Sequence, residues 1–194
     1  MSFIDHLEEL RWHLIRSLVA VSIITILVFI SKAIVFGKII LGPSKATFFT
    51  YQWLCTIGKK LNLGDFFCFE KLTFEIINTE MAGQFLIHLK SSFVIGFIVA
   101  FPYVLYEIWR FVKPGLYESE KQYTSGIVLF GSFFFFMGVL FGYFVLTPFS
   151  INFLGSYFVS ETVANTITLS SYVSTLTTLV VASGAVFELS LIHI

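Results

Sequence analysis

Two stretches without a single charged side chain, residues 91–106 and 123–149, constrain this chain more than any other feature. Water does not hold such segments apart, and a helix of about 20 apolar residues is what crosses a bilayer's hydrocarbon core. Between them runs FPYVLYEIWRFVKPGLYESEKQ, residues 101–122, where charge, proline and aromatics are concentrated. Trp109 and Tyr117 suit the headgroup layer, and Arg110, Lys113 and Lys121 mark the compartment that retains positive charge. Glu107, Glu118 and Glu120 add carboxylates that orientation does not require, since acidic residues contribute little to it.

With 57% hydrophobic and 12% charged residues in 194, and a mean hydropathy of +0.88, the chain is too apolar for a soluble domain. The expected fold class is all-α: a polytopic helical membrane protein with four transmembrane helices and an N-terminal amphipathic helix. A net charge of zero argues against a nucleic-acid partner, because neutralising a phosphate backbone takes an excess of Lys and Arg. Two cysteines and four scattered histidines do not make a four-ligand metal cluster, and neither HExxH nor GxSxG occurs. No metal, no cofactor and no enzymatic activity are expected.

In chain order, residues 1–14 read as an amphipathic helix on the membrane surface, with Phe3, Leu7, Leu10 and Leu14 on one stripe and a capping pair at Ser2 and Asp5. The first span is expected at 15–36, an outer loop at 37–84, the second span at 85–109 and a cytoplasmic loop at 110–123. The third span follows at 124–147, a second outer loop at 148–171 and the fourth span at 172–194. Within the first outer loop, residues 68–77 fit either a short strand or an amphipathic helix. Pro102 should kink or unwind the second span. Gly126, Gly131, Gly138 and Gly142 would let a neighbouring helix approach the third. Asp5, Glu8 and Glu9 exclude the basic start of a cleavable signal peptide. Arg11 and Arg16, with Arg110, Lys113 and Lys121, place the N-terminus and central loop in the cytoplasm, since 148–169 holds no basic residue. Cys55 and Cys68 then share the outer loop and either form a disulfide or remain two independent buried thiols.

Several ordered motifs carry a family resemblance. The N-terminal F-x-x-H-L-x-E-L-R of Phe3, His6, Leu7, Glu9, Leu10 and Arg11, the 101–121 block, the GYFVLTP that closes the third span, and the FE of Phe187 and Glu188 resemble the TatC family. That family is the multispanning receptor subunit of the twin-arginine, or Sec-independent, protein translocase. The resemblance implies a signal-peptide-binding site on the cytoplasmic face made of Glu9 and Glu120, with His6, Arg11, Phe111, Leu116 and Tyr117 matching the surrounding motifs. It also implies single-span TatA- and TatB-type partners, a homo-oligomer within the complex, and a multi-pass location in the cytoplasmic membrane, with transport driven by the proton-motive force. Family members have six spans and a proline two residues after the glutamate of the fourth, where this chain has Ser190.

The chemistry of that site is sensible by itself. A guanidinium presents a rigid fork that a carboxylate accepts bidentately, so two consecutive arginines ask for two well-placed acids, and lysine cannot copy the fork. The plain alternative is that Glu8, Glu9, Glu118 and Glu120 form a solvated face or pair with Arg11, Arg16 and Lys121. Glu188, a carboxyl group deep in a span, is expected to be functional or to face the bundle in a neutral, hydrogen-bonded form. Two other functions fit the spans: a fragment of a small-solute or proton-coupled transporter using Glu188 as its ion-coupling group, and a structural membrane scaffold.

Overall fold

The computed structural model describes residues 3–60, 75–115, 124–157 and 166–193, with side chains except at 3–7, 124–125 and 190–193. Helix α1 runs unbroken over Phe3–Ile30, since neither Gly nor Pro interrupts it. The surface helix (1–14) and first span expected as separate pieces are therefore one rod. It stops at Ile30 rather than residue 36 because the Ser31 N–H is shared between the Leu27 and Val28 carbonyls, which tightens the last turn. A short α2 (Lys32–Ile34) and a π-helical turn (Val35–Ile40) follow, then α3 over Phe49–Lys60. The strand alternative wins at the end of the first long loop. Strand β1 (Glu75–Ile77) pairs in parallel with β2 (Thr166–Thr168), Ile76 opposite Ile167.

Helix α4 spans Gly83–Val112 and remains helical through Pro102, so the helix does not unwind there and runs beyond the expected end at 109. Helix α5 (Thr124–Phe141) passes through a π-helical turn (Gly142–Leu146) into α6 (Thr147–Ser156), and α7 covers Leu169–His193. Among the described residues, four helices are long and apolar enough to cross a membrane: Glu8–Ile30, Gly83–Gly115, Gly126–Ser156 and Leu169–Leu189. Large apolar side chains such as Leu18, Ile30, Leu129 and Phe153 point outward, as a lipid-facing surface requires. The fold is that of a polytopic helical membrane protein.

The helices pack as antiparallel neighbours. Along α1 and α4, His13 meets Glu107, Thr25 meets Gly96, and Phe29 meets Phe85 and His88. Helices α4 and α5 are pinned by the Phe101 ring stacked on Phe135 at 3.6 Å. Helices α5 and α7 touch backbone to backbone. A Cβ on Gly138 would lie 2.7 Å from the Ser183 carbonyl, and one on Gly142 would lie 2.9 Å from the Val180 Cα. Lipid tails supply no hydrophobic drive between spans, so such close approach is what holds them.

The end of the bundle where α1 stops and α4 begins, the far end, holds a buried cluster of Val35, Ile40, Ile87, Ile151, Tyr172, Val173, Leu176 and Val180. It also solves a backbone problem. Pro148 has no N–H to give the Phe144 carbonyl four residues earlier, and the Thr50 hydroxyl donates to that carbonyl at 2.7 Å instead. Tyr143 and Tyr172 donate to the carbonyls of Ile39 and Ile40 at 2.7 and 2.8 Å. Tyr51 donates to those of Pro43 and Pro148, both at 3.1 Å. Pro148 is thereby accommodated inside a helix that continues to Ser156, so the outer loop expected to begin at 148 begins later.

Two outcomes follow. Gly138→Ala and Gly142→Ala should each destabilise the protein in detergent by about 1–3 kcal/mol, because backbone atoms have to move. Gly126→Ala, where a Cβ meets only Phe130 at 4.0 Å, should be neutral or stabilising, and thermal unfolding compares the three. Burial pushes the Tyr51 phenol, which lies outside the spans, up to about 12. The folded state then holds a proton that the unfolded chain gives up near pH 10, so stability should fall as pH rises from about 10 to 12. Melting curves across that window should lose this slope in Tyr51→Phe.

Candidate functional site

The opposite end of the bundle, where α1 begins and α4 finishes, is the near end. Here helical spacing gathers polar and aromatic residues on two facing stripes. On α1, Glu9, His13 and Arg16 recur at four and three residues. On α4, Tyr103, Glu107, Arg110 and Phe111 recur at four, three and one. The stripes meet in a buried pair, His13 Nδ1 to Glu107 Oε2 at 2.5 Å, with Glu107 only 2% exposed. Tyr103 is hydrogen-bonded to the same carboxylate, and the Phe111 ring presents itself edge-on to the His13 ring at 6.1 Å. The pair is a bolt between two spans, because a carboxylate this deep persists only with a partner.

Beside the bolt opens a cleft of about 420 Å³ lined by Glu9, Trp12, His13, Arg16 and Arg110. Glu9 is half-buried, and among the described residues the only ion pair is that of His13 with Glu107, so Glu9 is paired with neither Arg11 nor Arg16. Its carboxylate is the acceptor the cleft offers. Arg16 and Arg110 set positive charge opposite it, and the Trp12 indole is an exposed apolar wall at the rim.

The residues expected at the site divide as follows. Glu9 lines the cleft, and Phe111 lies behind it against His13. Arg11, about 200° further round α1 than Glu9, is exposed and does not line it. His6 lies on α1 in the turn before Glu9. Leu116, Tyr117 and Glu120 lie outside the described residues, as does Cys68, while Cys55 on α3 is disulfide-bonded. Glu188 sits in the last turn of the fourth apolar window rather than in this cleft, half-buried, with Oε1 lacking a hydrogen-bond partner. No group of three metal-ligating side chains occurs among the described residues.

Sequence reasoning took Glu107 for a loop carboxylate and passed over His13. The signal was there: within two otherwise apolar helices, polar side chains recur at the spacing of one face, which an amphipathic stripe facing another helix requires. A histidine read singly carries no such message.

A family model for the Sec-independent protein translocase protein (TatC) matches residues 5–194. This chain belongs to the TatC family. It is 40% identical over 188 residues to the Sec-independent protein translocase protein TatC of Blattabacterium sp. subsp. Periplaneta americana, covering 96% of this chain and 71% of that protein. Against the TatC of Deinococcus radiodurans it is 31% identical, covering 98% of this chain but 63% of the relative. Its fold is similar to a crystal structure of the twin-arginine translocase receptor TatC, with a TM-score of 0.67 and 28% identity over 96% of this chain and 72% of that one. The chain thus spans less than two thirds of the Deinococcus relative's length. As a TatC protein it is a membrane component of a protein translocase, not a member of an enzyme family.

The bolt makes a testable demand. His13→Leu should leave the buried Glu107 with the Tyr103 hydroxyl but no basic partner and cost about 3–5 kcal/mol, whereas the double change His13→Leu with Glu107→Leu should recover most of the loss. A double-mutant cycle by denaturant titration in detergent checks it, and additive losses would mean that the two residues do not act as a pair.

Proposed function

We propose that this chain is the signal-peptide receptor of a twin-arginine translocase, taking up paired arginines at the near-end cleft on the cytoplasmic side of the inner membrane. The observation that carries this reading is the half-buried, unpaired Glu9 carboxylate in a cleft at the junction of α1 and α4. A guanidinium fork fits such an acceptor, and Trp12 at the rim offers a face for it to stack on. Glu120, eight positions beyond the end of α4 in the sequence, supplies the second carboxylate in this reading. Family membership, and the twin-arginine translocase receptor named for the similar crystal structure, support the same assignment.

In this reading α1 enters the bilayer from the cytoplasm, and the far end, with α3 and the paired strands, lies outside. Single-span TatA- and TatB-type subunits and further copies of the chain complete the translocase. The chain binds and orients a peptide and transfers no chemical group, so its output is a change of partner contacts.

Glu9→Gln should weaken a twin-arginine peptide about tenfold to a hundredfold, the equivalent of one charge-assisted bond, and should also flatten the preference for Arg-Arg over Lys-Lys. Glu161→Ala serves as control, because the proposed topology puts it on the other side. Fluorescence titration of a labelled signal peptide against the detergent-solubilised chain gives both quantities. Parental affinity in Glu9→Gln would overturn the assignment. Impermeant thiol labelling of single cysteines placed at Lys59 and at Lys113 tests the orientation, with only the first expected to react in intact cells.

A further inference from the structure

Helix α3 is not one of the four spans, yet it starts at their level. Its first turn is fastened to the third span, where the Thr50 hydroxyl donates to the Phe144 carbonyl and the Phe49 ring meets the Phe144 ring edge-on at 6.3 Å. Gly142, two residues before Phe144, packs on Val180, about 16 Å along α7 from Leu169, where the fourth apolar span opens. The third span itself runs on from Phe144 to Ser156. The side of α3 turned away from the bundle therefore begins at a depth where the neighbouring helices meet lipid rather than water.

That side is one continuous stripe. Thr50, Tyr51 and Gly58 are buried against the protein, while Phe49, Gln52, Trp53, Thr56, Lys59 and Lys60 are exposed and recur at three and four residues. Phe49 is 66% exposed and Trp53 56%. A single open aromatic is ordinary on a water-facing surface, but here the side chains change along the stripe in the order in which a leaflet changes. A hydrocarbon ring comes first, an indole one turn later, and two ammonium groups about 15 Å from the first ring. Thr56, between them, donates its hydroxyl to the Gln52 carbonyl at 2.8 Å and so asks nothing of its surroundings. Lys59 and Lys60 also complement the helix dipole, which serves equally in water, but Phe49 and Trp53 do not share that explanation. Neither lysine forms an ion pair among the described residues.

We propose that α3 is an interfacial helix whose exposed stripe docks on an anionic phospholipid leaflet at the far end, with Phe49 among the acyl chains, the Trp53 indole at the glycerol level and Lys59 and Lys60 on lipid phosphates. Lipid is the occupant for two reasons. The first turn of α3 continues the lipid-facing surface of the third span, on which Phe149 and Phe153 are exposed. At the other end of the stripe, two cations match the charge of anionic headgroups. The hydroxyl bonds from Thr50 and Tyr51 to the third span then tie the bundle to the leaflet surface and fix its depth at the far end. The inference uses no part of the receptor reading.

The test uses the whole chain in nanodiscs of phosphatidylcholine and phosphatidylglycerol, with Trp12→Phe and Trp109→Phe to leave Trp53 as the only indole. Lipid brominated near the glycerol end of its acyl chain should quench Trp53 fluorescence more than lipid brominated near the chain's tip, and aqueous acrylamide should quench it little. At equal mole fraction, brominated phosphatidylglycerol should outdo brominated phosphatidylcholine, since each lysine enriches the anionic lipid about fivefold, and Lys59→Gln with Lys60→Gln should erase that preference. Quenching by acrylamide with none by lipid would put the stripe in water, and quenching by neither would put it against another protein chain. Equal quenching by the two lipids with both lysines present would remove the anionic match. Each of these outcomes overturns the proposal. Should the single-tryptophan chain fail to fold, phospholipid with a photoreactive diazirine in its acyl chain decides on the unmodified chain, with adducts expected on Phe49 and Trp53 and their absence overturning it.

Discussion

A backbone carbonyl inside an apolar bundle has to find a donor, and in this chain that requirement shapes the far end of the molecule. Two π-helical turns, Val35–Ile40 and Gly142–Leu146, disturb the regular ladder, and Pro148 removes one N–H from it. The freed carbonyls do not go unpaired: hydroxyls of Thr50, Tyr143 and Tyr172 reach them from other segments. Each such bond crosses a long stretch of sequence, so the repair of one helix becomes the attachment of another. The loop helix α3 is held against the π-helical turn at Gly142–Leu146 and the start of α6 this way, through Thr50 and Tyr51.

The near end is built on a different economy. There the backbone is regular and the polarity lies in side chains, one pair fully used and one acid unused. The His13 to Glu107 bond fixes the angle at which α1 lies on α4, and Glu9, one turn before His13, inherits its position from that bond. A free carboxylate at the mouth of the cleft needs such a support, since an unpaired charge contributes nothing to holding its own helix in place. Pairing deep in the interface and vacancy at its mouth are therefore two halves of one arrangement.

The spans were legible because lipid imposes a one-dimensional rule on composition, and the uncharged runs obey it. Their ends were less so. Residues 33–36 are apolar and 148–156 uncharged like the spans beside them, and what decides between loop and helix is whether a freed carbonyl meets a hydroxyl from elsewhere. Thr50 and Phe144 are 94 positions apart, and no local pattern announces that meeting. The site was legible by half for a similar reason. Glu9 stands in a motif, whereas the His13 to Glu107 bond is a tertiary fact, visible in sequence only as a polar spacing on each helix taken separately.

The charge balance of the cleft limits what Glu9 can do by itself. Arg16 and Arg110 line the same space, so an arriving guanidinium meets two cations for one acid. Both cations are exposed and screened by water, so each opposes binding by about 1 kcal/mol or less, enough to offset part of what the carboxylate contributes. One carboxylate in that company holds at most one of two consecutive arginines, and holds it loosely. If the cleft takes up paired arginines as proposed, a second carboxylate has to join Glu9, and Glu118 and Glu120 follow Gly115 within a few residues of the sequence. The same balance lowers affinity without changing discrimination. A lysine, a strongly hydrated point charge without the bidentate fork, faces the same two cations, so their repulsion cancels from the comparison and the preference for arginine rests on the fork that the acid accepts.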